Sequence, residues 1–176
     1  MPPPEPTFDP QIDRAHVVAA GLGDDAFARR AAPDSWSVAE QLDHLTQVAS
    51  RLVPMVDTAL AENAVADERP FRARLVERFF VRMAGANPPI PVPVPPLYEP
   101  KPTGRREDDL AAFVAAHRAL GARFEQASQS GRLCVVVTSP AMASLRLRLG
   151  AWVLAMNAHV DYHLTRAEAA RRRVLY

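Results

Sequence analysis

Apolar residues recur along most of this chain at intervals of three and four, the period that gives a helix one buried face. From Pro10 to about Arg30 the spacing is kept by Ile12, Ala15, Val18, Ala19 and Leu22. Gly21 and Gly23 should interrupt or end this first helix. A second helix is better marked. In "SWSVAEQLDHL", Ser37 is followed three residues later by Glu40, the spacing of a capping box. Leu42, Leu45, Ala49, Leu52, Val53, Val56 and Leu60 then form one apolar stripe. Pro54 falls inside the stripe and is expected to kink the helix or break its ladder. "DERPFRARLVERFFVRMAG" reads as a further short helix ending at Gly85.

The pattern then changes. "NPPIPVPVPPLYEPKP", residues 87–102, holds eight prolines, cannot be helix and makes a poor central strand. Residues 86–105 are read as an extended crossover between two pairs of helices. A third long helix spans about Arg106 to Ser130, with Leu110, Phe113, Val114, His117, Leu120 and Phe124 on one face. "LCVVV", residues 133–137, is short and β-branched, so it reads as extended. Ser139-Pro140 and Ser144 offer helix-start signals. A last helix is expected from about Ser144 to Arg172, its inner face Leu147, Ala151, Leu154, Ala155, Ala158, His159 and Tyr162. The "RRR" at 171–173 complements the negative end of that helix dipole. Four principal helices, one minor helix and a long connection predict an all-α four-helix bundle. Residues 1–9 form a Pro-rich arm and residues 10–176 one domain.

Composition adds bounds. The chain has 176 residues, 48% hydrophobic and 23% charged, an ordinary globular balance with room for one core. Its net charge of +1 gives no general case for nucleic acid. Cys134, the single cysteine, cannot form an internal disulfide. The N-terminus lacks the basic and apolar regions of a signal peptide, and no run reaches the length of a membrane helix. A cytoplasmic protein with no membrane partner is the expectation.

Against this background the histidines stand out. His159 and His163 are four apart, so a helix places both imidazoles on one face. That spacing alone suits two hydrogen-bonded structural histidines at least as well as a metal site. His44, early in the second helix, could add a third nitrogen. Three imidazoles with an open position are the arrangement of catalytic zinc sites, and imidazole also suits nickel, copper and iron. At about 100° per residue, however, His44 lies near the edge of its stripe, and periodicity alone would not select it.

The combination of "WSVAEQLDHL" with a distant "HVDYH" resembles the DinB-like superfamily, the DinB/YfiT-like metalloenzymes. The likeness covers about residues 10–172. It includes the Trp-Ser-x-x-Glu-x-x-x-His-Leu signature, the irregular crossover, a proline before the last helix and the closing His-x-x-x-His. The resemblance implies a four-helix bundle of up-down-down-up topology. It also implies a divalent metal, zinc or nickel in the first place, held by His44, His159 and His163. Characterised relatives include thiol S-transferases that use low-molecular-weight thiols and a mycothiol-dependent isomerase. A three-imidazole site leaves a divalent charge uncompensated and lowers the pKa of a bound water or thiol. Thiol transfer or hydrolysis on a small-molecule substrate is the implied chemistry. A non-catalytic metal-binding or stress-related module, a metal-free ligand-binding bundle and a homodimer remain alternatives in the sequence.

Other polar residues have simpler readings. Glu40 is accounted for by its capping box. Asp43 and Asp161 neighbour the histidines in sequence but point away from them on a helix. Tyr162, Trp36 and Trp152 read as packing residues, and His117 and His16 as satisfied core histidines. Cys134 reads as a buried small hydrophobe, so a thiol nucleophile would have to come from outside the chain.

Overall fold

The computed structural model describes residues 6–63, 70–85 and 93–175. The first part of the expected arm, residues 1–5, and the start of the expected crossover, residues 86–92, lie outside the described residues.

Helix α1 runs Asp9–Ala19 and buries Ile12, Ala15, Val18 and Ala19. It stops before Gly21, whose φ of 74° lies in the left-handed region that glycine adopts without strain. The chain restarts as α2, Asp24–Ala28, which anchors Phe27 in the core. Helix α3, Val38–Glu62, begins on the anticipated capping box. The Ser37 hydroxyl accepts from the Glu40 amide at 3.2 Å, and the Glu40 carboxylate accepts from the Ser37 amide at 2.9 Å. Such a cap contributes about 1 kcal/mol. Pro54 removes one bond from the ladder, as expected, but α3 continues through it as one element. Pro54 and Ser50 are both exposed, so the carbonyl that loses its donor faces water.

Helix α4, Leu75–Ala84, packs against the last helix. A short 3-10 turn at Pro96–Tyr98 punctuates the end of the crossover, and α5 spans Arg106–Gln129. Strands β1, Val136–Thr138, and β2, Arg146–Arg148, pair antiparallel, with Val137 opposite Leu147. Both of these side chains are buried, which fixes the register of a short hairpin. Helix α6, Leu149–Leu175, follows β2 without a break. Its first two amides donate to the Val135 and Leu133 carbonyls at 2.7 and 2.8 Å. The residues just before β1 thereby satisfy donors that a helix start leaves open.

The fold is all-α but is not the expected four-helix bundle: six α-helices are present among the described residues. The glycines at 21 and 23 split off α2. The minor helix expected to end at Gly85 is present as α4, and it packs on the last helix, where Phe80 meets Trp152 of α6 edge-on at 5.5 Å. The last helix also starts later than the serine and proline signals suggest. Residues 146–148 alternate polar, apolar, polar and pair with β1, which defers the helix to Leu149. Pro140 therefore lies between the strands and not at a helix start. The core joins α1, α3, α5 and α6 around Leu42, Leu45, Phe113, Leu120, Phe124 and Leu164. Full burial of each such side chain contributes about 2 kcal/mol.

Candidate metal centre

Helices α3 and α6 pack face to face and bring His44 of α3 to His159 and His163 of α6. One nitrogen from each ring lies within 4.8 Å of the others. His44 and His163 are buried and His159 is partly buried.

Each ring is fixed by its Nδ1 atom. His44 donates to the Tyr98 carbonyl at 2.8 Å, His159 to the Ala84 carbonyl at 3.2 Å, and His163 to the Gln41 side-chain oxygen at 2.6 Å. Carbonyl oxygens only accept, so these contacts place the proton on Nδ1 and leave an Nε2 lone pair on each ring. The Nε2 atoms of His44 and His159 are 3.1 Å apart. Two lone pairs at that distance repel, and a shared cation reverses the sign. Oxygen partners on the second ring nitrogen are also what orient metal-ligating histidines and set their tautomer. The donor set is therefore capable of coordinating a divalent metal, with an Nε2 lone pair left on each ring.

The electrostatics agree. Burial lowers the His44 pKa against smaller opposing effects of the Tyr98 carbonyl and Asp43. Burial, then the nearby His44, lower His159 to about 4. His163 lies well below its ordinary value through burial, then through His159 and His44. The rings are thus neutral near pH 7, the state a metal needs.

The imidazoles line a cavity of about 770 Å³, a size suited to a small molecule. Trp36 stacks on His163 with ring centroids 5.8 Å apart and approaches His44 at 5.1 Å. Trp152 lines the same cavity while its indole donates to the Val137 carbonyl at 3.1 Å. Both tryptophans, expected as packing residues, are also walls of the site. So is Tyr162, whose hydroxyl accepts from Arg166 at 3.1 Å.

The remaining candidates fall elsewhere. Glu40 is occupied by Ser37 and by Arg30, the latter at 2.5 Å. Asp43 accepts from Gln47 at 2.8 Å and from the Lys101 amide at 2.6 Å, which ties the crossover to α3. Asp161 pairs with Arg14 at 2.9 Å. His117 is fully buried on α5, with Nδ1 donating to the Phe113 carbonyl at 2.8 Å, but its Nε2 has no hydrogen-bond partner. His16 is exposed and is not a core residue. Cys134 is half-buried near the Arg148 guanidinium, 3.9 Å away, and is not fully enclosed as expected.

Gln41, Tyr98 and Ala84 were not among the sequence candidates. Gln41 lies three residues before His44 and shares its helix face, a signal that spacing does carry. Tyr98 and Ala84 act through backbone carbonyls, to which side-chain identity gives no clue. Ala84 ends α4, where carbonyls lack intrahelical donors, so His159 also satisfies that helix terminus.

An all-α fold with a buried three-histidine cluster joining α3 to α6 defines a class of helical metal-site proteins. The sequence profile of the DinB superfamily matches residues 7–166, and the chain belongs to that superfamily. No curated protein and no solved structure matches it. No helix among the described residues is long and apolar enough to cross a membrane.

Proposed function

We propose that this chain is a metal-dependent enzyme in which His44, His159 and His163 hold a divalent ion, zinc or nickel, beside a small-molecule cavity. The observation that carries this reading is the common arrangement of the three rings: every Nδ1 is engaged by an oxygen, one nitrogen of each ring lies within 4.8 Å of the others, and the free Nε2 atoms of His44 and His159 are 3.1 Å apart. A bound divalent ion supplies Lewis acidity that favours the anionic form of a thiol or water at neutral pH. The chain's own part is positional. Gln41, Tyr98 and Ala84 hold the rings, while Trp36 covers His44 and His163. Cys134 is not among the residues that line the cavity, so the thiol is a separate low-molecular-weight compound. Thiol transfer to an electrophile is the favoured reaction, with hydrolysis as its close relative. Residues 10–176 act as one domain in this reading, in the cytoplasm, with a homodimer as the allowed assembly.

The test is to incubate zinc- and nickel-loaded protein with a panel of low-molecular-weight thiols and an epoxide or haloalkyl acceptor. Thioether formation that needs both metal and thiol supports thiol transfer. Metal-dependent ester or amide cleavage without thiol supports hydrolysis. Absence of turnover in both assays by fully metallated protein contradicts the enzymatic reading and favours a metal-binding module.

A further inference from the structure

The cavity has two unlike ends, and α6 runs along both. Trp152, Met156, His159, His163 and Arg166 follow one another at helical spacing and all line it. Residues 152 to 166 span roughly 21 Å along the axis at 1.5 Å per residue. At the Trp152 end the walls are apolar. Phe80 of α4 meets Trp152, Met83 lies one turn further along α4, and Met142 and Leu145 come from the segment between the strands. Methionines adapt to varied apolar shapes, so this end favours hydrophobic bulk over one fixed outline.

At the other end stands Arg166. It is the only cationic side chain lining the cavity among the described residues. Its guanidinium donates to the Tyr162 hydroxyl and lies 5.5 Å from the centroid of that ring. It forms no ion pair with a carboxylate among the described residues, unlike Arg14, Arg30, Arg123 and Arg148. Asp34 also lines the cavity and is exposed, but it is not paired with Arg166. The imidazoles lie between the apolar end and this cation.

We infer that the cavity takes an amphipathic monocarboxylate, its apolar body between Phe80, Trp152 and Met156 and its carboxylate on Arg166. Such a molecule would pass the three imidazoles along its length. Arg166 is a single cation and so matches a single anionic group on the ligand. The inference names a substrate class for the proposed metal centre and rests on that reading for its chemistry, but binding itself needs no metal.

The experiment compares dansyl-aminoundecanoate with its methyl ester, which keeps the body and removes the charge. Binding is read by dansyl emission and by quenching of Trp36 and Trp152, with metal-free and zinc-loaded protein. The carboxylate should bind about tenfold more tightly than the ester, the scale of a charge-assisted hydrogen bond. Arg166→Gln should lower carboxylate affinity to about that of the ester, so that the preference falls to near unity. Ala141→Trp, which narrows the cavity from an exposed position, should weaken both probes. Equal affinities in wild type, or a preference that survives Arg166→Gln, would overturn the inference. So would probe binding untouched by Ala141→Trp. A carboxylate preference seen only with zinc assigns the anion to the metal and also overturns it. Metal content, measured on the same samples, reports separately on the metal centre.

Discussion

Gln41 and His163 meet across the α3–α6 interface at 2.6 Å, the amide oxygen accepting from Nδ1. Gln41 is only 2% exposed, so its polar group is committed to this contact. Because His44 lies one turn further along the same helix, α3 both orients one ring and contributes another. Gln41→Leu removes the acceptor without changing charge. We expect a loss of roughly 10–100-fold in zinc affinity with the fold intact, since outer partners of ligating histidines carry effects of that size. Competition with a chromophoric chelator measures it, and wild-type affinity in the variant would remove Gln41 from the site.

His117 gives the fold a pH dependence of its own, although its charge also acts to lower the nearby His159. Burial holds its pKa at about 4, against the Phe113 carbonyl, which acts in the opposite direction. The unfolded chain takes up a proton near pH 6.5, whereas the folded chain resists until about pH 4. Stability is therefore fully present above pH 6.5 and falls as the pH drops toward 4. The loss from this residue is of order 3 kcal/mol over that window. Urea unfolding of His117→Phe between pH 7 and 4 should show a flatter profile than wild type, and parallel profiles would refute the assignment.

Glu77 of α4 and Arg148 of β2 form an ion pair whose side chains are only 7% and 14% exposed. Burial alone would push the Glu77 carboxyl up, but Arg148 and the Arg74 amide bring it below its ordinary range. Arg148 also donates to the Arg72 carbonyl at 2.8 Å, so one guanidinium joins β2 to the approach to α4. Glu77→Ala leaves a largely buried cation without its partner. A loss of about 3 kcal/mol is expected, seen as a lower denaturation midpoint. A change below about 0.5 kcal/mol would show that the pair behaves as a surface contact.

Gly150 is the place where the segment before α4 meets the start of α6. A β-carbon there would lie 2.5–2.7 Å from three atoms of the Phe71 ring. Gly150→Ala should destabilise the fold by about 1–3 kcal/mol through overpacking. In the background of Phe71→Ala the same change should be nearly neutral, and the double-mutant cycle reads that coupling. Additive effects would mean that the ring moves aside at no cost.

Much of the fold was readable because long helices advertise themselves. The stripe from Leu42 to Leu60 and the Ser37–Glu40 pair foretell α3 closely, and the glycines after Ala19 foretell the end of α1. Short elements were less readable. Residues 146–148 are too few for a strand pattern, and only pairing with 136–138 makes them one. The candidate metal ligands came from a motif, since periodicity put His44 at the edge of its helix. What that motif could not supply was the support around it. The carbonyls of Ala84 and Tyr98 belong to α4 and the crossover, and their role depends on tertiary placement alone. The minor helix and the irregular connection, secondary in the sequence reading, are thus what hold two of the three rings.

The central claim is that three convergent imidazoles bind one divalent ion. Metal content by elemental analysis, on protein purified without an affinity tag and after exposure to equimolar zinc, tests it most directly. The account predicts close to one ion per chain in wild type and in His117→Ala, with little or none in His44→Ala, His159→Ala or His163→Ala. Full occupancy in a protein lacking both His159 and His163, or no uptake by well-folded wild type, would contradict it.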